Sequence, residues 1–159
     1  MLGWALSLVN PMPVESVLVA DYTIRPATAA DFDAILALWS SIERHTALPD
    51  KRQYLQQFLD FSPDLFLVAE AEGRIAGTII GGWDGWRGHI ARLATDPALR
   101  RTGIARALVS EIEMRLKVKG ARRIYALIDA LSPQAAPFWQ AAGYVPNEDV
   151  IQYSRNVGE

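Results

Sequence analysis

A mixed α/β domain, with a sheet carrying helices on its faces, is the fold class this sequence predicts. Three observations carry that expectation. Short apolar runs bounded by turn residues alternate with segments whose apolar residues recur at helical spacing. The chain has 159 residues, one domain's worth. It holds no cysteine, so its core must stand without cross-links, and at this size ~68–70% of the unfolded surface can be buried.

The elements follow in order. Residues 1–20 read as an extension outside a single domain over 21–159. Tyr22-Thr23-Ile24-Arg25 alternates as a strand and stops at Pro26. Thr28 and Asp31 have capping-box spacing, and Phe32, Ile35, Leu36, Trp39 and Ile42 then mark one helical face to about Arg44. A second helix is expected from Asp50 to Leu59. Leu65 to Ala69 and Ile75 to Gly82 form a hairpin about Glu72-Gly73. After the Asp84-Gly85 turn, a strand from Arg87 to Thr95 stops at Asp96-Pro97. A long helix spans Arg101 to Lys119, with Ile104, Leu108, Ile112 and Leu116 inward and Gly120 as C-cap. Arg123 to Ile128 is β-rich, Ser132-Pro133 opens a last helix that ends at Gly143, and Val150 to Ser154 is expected as a closing strand.

Composition removes several function classes. Without cysteine there is no Cys-ligated zinc and no acyl-cysteine intermediate. Two histidines, His45 and His89, are too few for a multi-histidine metal site, so no metal is expected. Net charge is -2, against the basic bias of nucleic-acid binders. Arg100, Arg101, Arg106, Arg122 and Arg123 are dispersed. Met1 to Val14, a charge-free stretch, contains Ser7, Asn10, Pro11 and Pro13 and falls short of the ~20 apolar residues of a membrane span. The first basic residue, Arg25, comes too late for a signal peptide. The expectation is a cytoplasmic protein with no membrane or nucleic-acid partner.

Chemistry concentrates at Leu93-Ala94-Thr95-Asp96-Pro97-Ala98-Leu99-Arg100-Arg101-Thr102-Gly103-Ile104-Ala105. There a strand ends and a helix opens on Arg-x-x-Gly-x-Ala. The first turn of a helix has unpaired N–H groups and partial positive charge, which favour phosphate. Small Gly103 and Ala105 let a ligand approach the backbone. Neither a Walker loop nor a dinucleotide fingerprint fits this spacing.

These residues resemble the cofactor motif of the GNAT superfamily of N-acetyltransferases, and the likeness runs from about Tyr22 to the end. Ile24-Arg25-Pro26-Ala27-Thr28 with Asp31-Phe32 is similar to the family's first strand and helix. Ala69 to Gly77 is similar to its second hairpin, and Ala135 to Tyr144 to its last helix. The Asp84-Gly85-Trp86-Arg87-Gly88 turn resembles a bacterial subgroup of generic acetyltransferases. The resemblance implies a mostly antiparallel sheet splayed between its fourth and fifth strands, with helices on both faces. It implies direct transfer of acetyl from acetyl-CoA to a primary amine of a small molecule or peptide. Cofactor contacts are then expected from Leu93, Ala94, Thr95, Arg100, Arg101, Thr102, Gly103, Ile104, Ala105, Ser132 and Trp139. The Leu93 backbone amide would polarise the thioester carbonyl as an oxyanion donor. The oligomeric state stays open between monomer and homodimer.

Two positions depart from the family pattern. Ser132 and Trp139 stand where an asparagine and a proton-donating tyrosine are common, and an indole cannot supply a proton. Pro137 lies within the same helix, and Tyr125 and Tyr144 are the nearby phenols. His89, four residues before Leu93, is the candidate base, since the two share a strand face unless a bulge intervenes. Glu43 and His45, ending the first helix, are candidates for acceptor binding. A lysine-type amine lies ~4.6 kcal/mol from its neutral form at pH 7 and an α-amine only ~1 kcal/mol. A weak base set suits the second. The competing reading is a domain of the same fold that holds acetyl-CoA as a sensor or interaction module with little turnover, which Trp139 in place of tyrosine keeps open.

Overall fold

The computed structural model describes residues 21–42 and 50–157. The N-terminal extension, Glu43 and His45 lie outside the described residues. Elements run β1 (Tyr22–Pro26), α1 (Phe32–Ile42), α2 (Arg52–Phe61), β2 (Phe66–Ala71), β3 (Arg74–Trp83), β4 (Gly88–Thr95), α3 (Ile104–Lys119), β5 (Ile124–Ala126) and α4 (Ala135–Ala141). Short 3₁₀ turns precede α1 and follow β4. The strands form one sheet in the order β1-β2-β3-β4-β5. The first three pairings are antiparallel and β4–β5 is parallel.

Local chemistry explains most boundaries. At the start of α1, the Asp31 carboxylate accepts from the Thr28 amide at 2.8 Å. It also receives both ends of the Arg25 guanidinium, at 2.8 and 2.9 Å. That pairing holds the Asp31 carboxyl below the usual carboxylate range. Glu72 and Gly73 both take positive φ (52° and 71°), the geometry a two-residue hairpin loop requires.

The sheet divides two cores. Leu65, Leu67, Ile79 and Ile90 face the α3 stripe of Ile104, Leu108, Ile112 and Leu116, and Trp139 of α4 joins them. On the other face Phe66 and Val68 pack with Phe32, Ile35 and Trp39 of α1 and Leu55 of α2. The helix seat is close. A Cβ on Gly81 would stand 2.7 Å from Ile112 Cγ1, so only glycine lets α3 lie this near β3.

Three expectations are corrected. Val150 to Ser154 is not a strand: it carries no regular structure, and Val150, Ile151 and Tyr153 are 69%, 76% and 90% exposed. An apolar alternating run becomes a strand only by pairing, and among the described residues the sheet ends at the three-residue β5. The long helix begins at Ile104 rather than Arg101, because Arg101 and Gly103 both have positive φ (63° and 90°). The last helix begins at Ala135, so Pro137 sits in its first turn. There an N–H has no intrahelical acceptor, and no bond is lost.

Candidate functional site

β4 and β5 pair for only three residues, Gly88 to Ile90 against Ile124 to Ala126. The Leu127 amide donates to the Ile90 carbonyl at 2.9 Å as the last bond between them. β4 continues to Thr95 while the chain after β5 turns through 129–135. The strands therefore part into a wedge, and the wedge is a cavity of ≈ 1020 Å³. Ala91 to Thr95 form one wall, and Leu127, Ile128, Asp129, Ser132, Gln134, Ala135, Phe138 and Trp139 the other. Leu99, Arg100, Arg101 and Gly103 to Arg106 close the end at the start of α3, and Ile42 of α1 also lines it.

Each residue proposed for cofactor contact lines this cavity except Thr102. The Thr102 hydroxyl is turned inward, donating to the Leu99 carbonyl at 2.6 Å and bracing the loop. Gly103, at φ 90°, caps α3, and its carbonyl receives the Ala107 amide at 3.0 Å. The amides of the first turn after it have no preceding helical carbonyls to bond. Arg106 closes α3 onto α4 by donating to the Ala141 carbonyl at 2.9 Å.

Trp139 is buried and held edge-on against Tyr144 and Phe138, with centroids 4.8 and 5.4 Å away. Neither neighbouring phenol lines the cavity. Tyr144 donates to Glu113 Oε1 at 2.8 Å, and burial together with that carboxylate pushes its phenol up, away from proton release. Tyr125 accepts from Arg87 instead.

The bulge that qualified the His89 reading is present. Thr78 pairs with Ala94 and Ile80 with Ala91, so Arg92 and Leu93 together oppose Ile79 alone. Arg92 has φ 54°. The extra residue breaks the period of two, and Leu93 packs with the α3 core on the same face as Ile90. His89, one residue before Ile90, projects to the other face and is exposed, with its imidazole across Gly82. It does not line the cavity.

The sequence reading missed the surroundings of that bulge. Trp39 Nε1 donates to Thr78 Oγ1, and the Thr78 hydroxyl donates to the Arg92 carbonyl, each at 2.9 Å. The Arg92 guanidinium lies 5.0 Å above the Trp39 ring and pairs with Asp50. A tryptophan at an inward helical position reads as core, and its one donor gave no local signal. Leu127, Ile128, Asp129 and Gln134 were missed as lining because the loop after β5 has no motif of its own, and Ala91 on β4 and Ala135 and Phe138 on α4 were missed as well. Among the described residues no group of three or more His, Cys, Asp or Glu could hold a metal ion. No helix there is long and apolar enough to cross a membrane.

The model of the acetyltransferase (GNAT) family matches residues 32–144. A protein named acetyltransferase from Pectobacterium atrosepticum is 38% identical over 98 residues, 62% of this chain and 70% of that protein. Another so named, from Sodalis glossinidius, is 30% identical over 129 residues, 81% of this chain and 91% of its own length. Among solved structures, a "predicted acetyltransferase with acetyl-CoA" from Clostridium acetobutylicum shares the fold at a TM-score of 0.65 and 16% identity, over 84% of this chain and 96% of that one.

Proposed function

The chain belongs to the acetyltransferase (GNAT) family, and from that premise we propose that it transfers acetyl directly from acetyl-CoA to a primary amine of a small molecule or peptide. The observation that carries the proposal is the wedge. It joins an open strand end, a helix start and an apolar wall in one cavity of ≈ 1020 Å³, a size in the range of cofactor clefts.

The residues present fit the cosubstrate. The pyrophosphate goes to the helix start, where the amides from Arg101 to Ala105, with Arg100 and Arg101 beside them, favour anionic oxygen. The thioester arm lies along Leu93, Ala94 and Thr95, covered by Trp139 and flanked by Ser132. Acetyl-CoA supplies an activated acyl group with a thiolate as leaving group. The Leu93 amide receives the carbonyl oxygen as it gains charge. The amine forms the new C–N bond and loses a proton to solvent, and the C–S bond breaks with its electron pair on sulfur, releasing CoA as the thiolate.

Among the described residues that line the cavity, Asp129 is the one carboxylate, and the other titratable groups are arginines. His89 stands on the other face of β4. The few bases among these described residues favour an acceptor already partly neutral. An α-amine near ~7.8 costs ~1 kcal/mol at pH 7, and a lysine-type amine ~4.6 kcal/mol. Departure of CoA does not require an acid, because a thiol near pKa ~8.5 leaves as thiolate. The second reading, a module that holds acetyl-CoA without turnover, is favoured by buried Trp139 in place of a proton donor. Thiol release from acetyl-CoA across a panel of α-amines and alkyl amines decides between them. Release with α-amines supports the enzyme, and tight binding without release supports the module.

A further inference from the structure

Two side chains that do not line the cavity hold Arg92, a lining residue with positive φ. We propose that Trp39 and Thr78 are positioning residues for acetyl transfer, fixing the left-handed conformation of Arg92 and thereby the direction of the Leu93 amide. This rests on the reading of Leu93 as the amide that receives the thioester carbonyl.

The physical link is the peptide plane. The Arg92 carbonyl and the Leu93 N–H belong to one rigid unit, in which they point in opposite directions when the bond is trans. There are no cis peptide bonds among the described residues. The Thr78 hydroxyl, at 2.9 Å, draws the Arg92 carbonyl towards itself, and so turns the Leu93 N–H away from Thr78. Thr78 has one proton to give, and the direction of that gift is set from behind. Trp39 Nε1 can only donate, so it occupies a lone pair of the Thr78 oxygen and leaves the hydroxyl proton for Arg92. Trp39 is 2% exposed and Thr78 fully buried, so water does not compete for either bond.

The conformation being held is disfavoured for any residue but glycine, and such residues persist only where their surroundings over-determine them. Arg92 is gripped twice by one indole. The Trp39 ring lies under its guanidinium at 5.0 Å, and the Trp39 N–H reaches its carbonyl through Thr78. Asp50, at the entrance to α2, adds an ion pair to that grip. A helix on one face of the sheet thus sets a backbone direction in the cavity wall.

Thr78→Val tests this, since it replaces the hydroxyl by a methyl of similar size. The expected result is a kcat lower by roughly 10- to 100-fold at saturating acetyl-CoA, the scale of a small misplacement at a reacting centre. Calorimetric Kd for CoA, which lacks the acetyl group, should stay within about twofold. Thr78→Ser should recover kcat to within about threefold of wild type. Should Thr78→Val fail to fold, Arg92→Gly and Arg92→Val carry the test. Both lack the guanidinium, and only glycine accepts the left-handed conformation freely. The glycine variant should then turn over about tenfold faster than the valine variant. Equal rates for those two, or wild-type kcat in folded Thr78→Val, overturn the proposal alone. A wild-type protein that binds no acetyl-CoA overturns it together with the cofactor reading.

Discussion

Replacing Gly103 by alanine and by glutamate separates two demands made at one position. Gly103 has φ 90°, a conformation that costs an L-residue about 1–2 kcal/mol. Space is not the constraint, because the nearest atom to an added Cβ is Tyr22 Oη at 3.9 Å. Gly103→Ala should therefore fold with a Tm lower by roughly 2–8 °C, at ~2–4 °C per kcal/mol for a domain of this size. It should still bind acetyl-CoA. Gly103→Glu carries the same backbone cost and adds a negative charge beside the proposed pyrophosphate. Two charges at ~6 Å repel by ~0.7 kcal/mol in water and by ~2.8 kcal/mol at an effective dielectric of ~20. Against a doubly charged pyrophosphate the loss spans ~1.4 to ~5.5 kcal/mol, or about tenfold to ten-thousandfold in Kd. The assay is calorimetry with acetyl-CoA at low and high salt, alongside thermal melts. The gap between the two variants should narrow as salt rises. Equal acetyl-CoA affinity in folded Gly103→Ala and Gly103→Glu would refute the placement of the pyrophosphate at the start of α3.

Three further outcomes follow from the same geometry. His89→Gln should leave kcat/KM within about threefold and the pH–rate curve unaltered, because His89 is exposed on the face of β4 away from Leu93; a loss of ~10²-fold would restore it as the base. Trp139→Tyr should raise kcat if a phenol there can protonate the departing sulfur, and Trp139→Phe is its control; identical kcat in the two, with normal acetyl-CoA binding, makes position 139 a packing residue. Asp31→Asn should destabilise by about 1–3 kcal/mol near pH 7. Since Arg25 lowers the folded-state pKa of Asp31, its stabilisation is full above the unfolded value near ~3.9 and is lost as pH falls through the lower folded value, so the two proteins' denaturation midpoints should converge in strong acid.

The sequence by itself determined the helices with periodic apolar faces and the hairpins closed at Glu72-Gly73 and Asp84, and it set the start of the long helix to within three residues, at Arg101 rather than Ile104. Each of these is written in residues close together in the chain, where spacing and turn chemistry act directly. The family motif lies in one such stretch, so the residues of one cavity wall and of the helix start could be named from it. What only the tertiary structure decided depends on residues far apart. Val150 to Ser154 has strand chemistry, yet a strand also needs a neighbour, and the run carries no regular structure. The face of β4 presented by His89 turned on one extra residue at Arg92. Nothing in the residues around Arg92 announces a bulge, because it is held by Thr78 from the adjacent strand and by Trp39 from across the core. Period-two reasoning fails wherever such an insertion occurs, since a single residue exchanges every side chain beyond it between the two faces of the sheet.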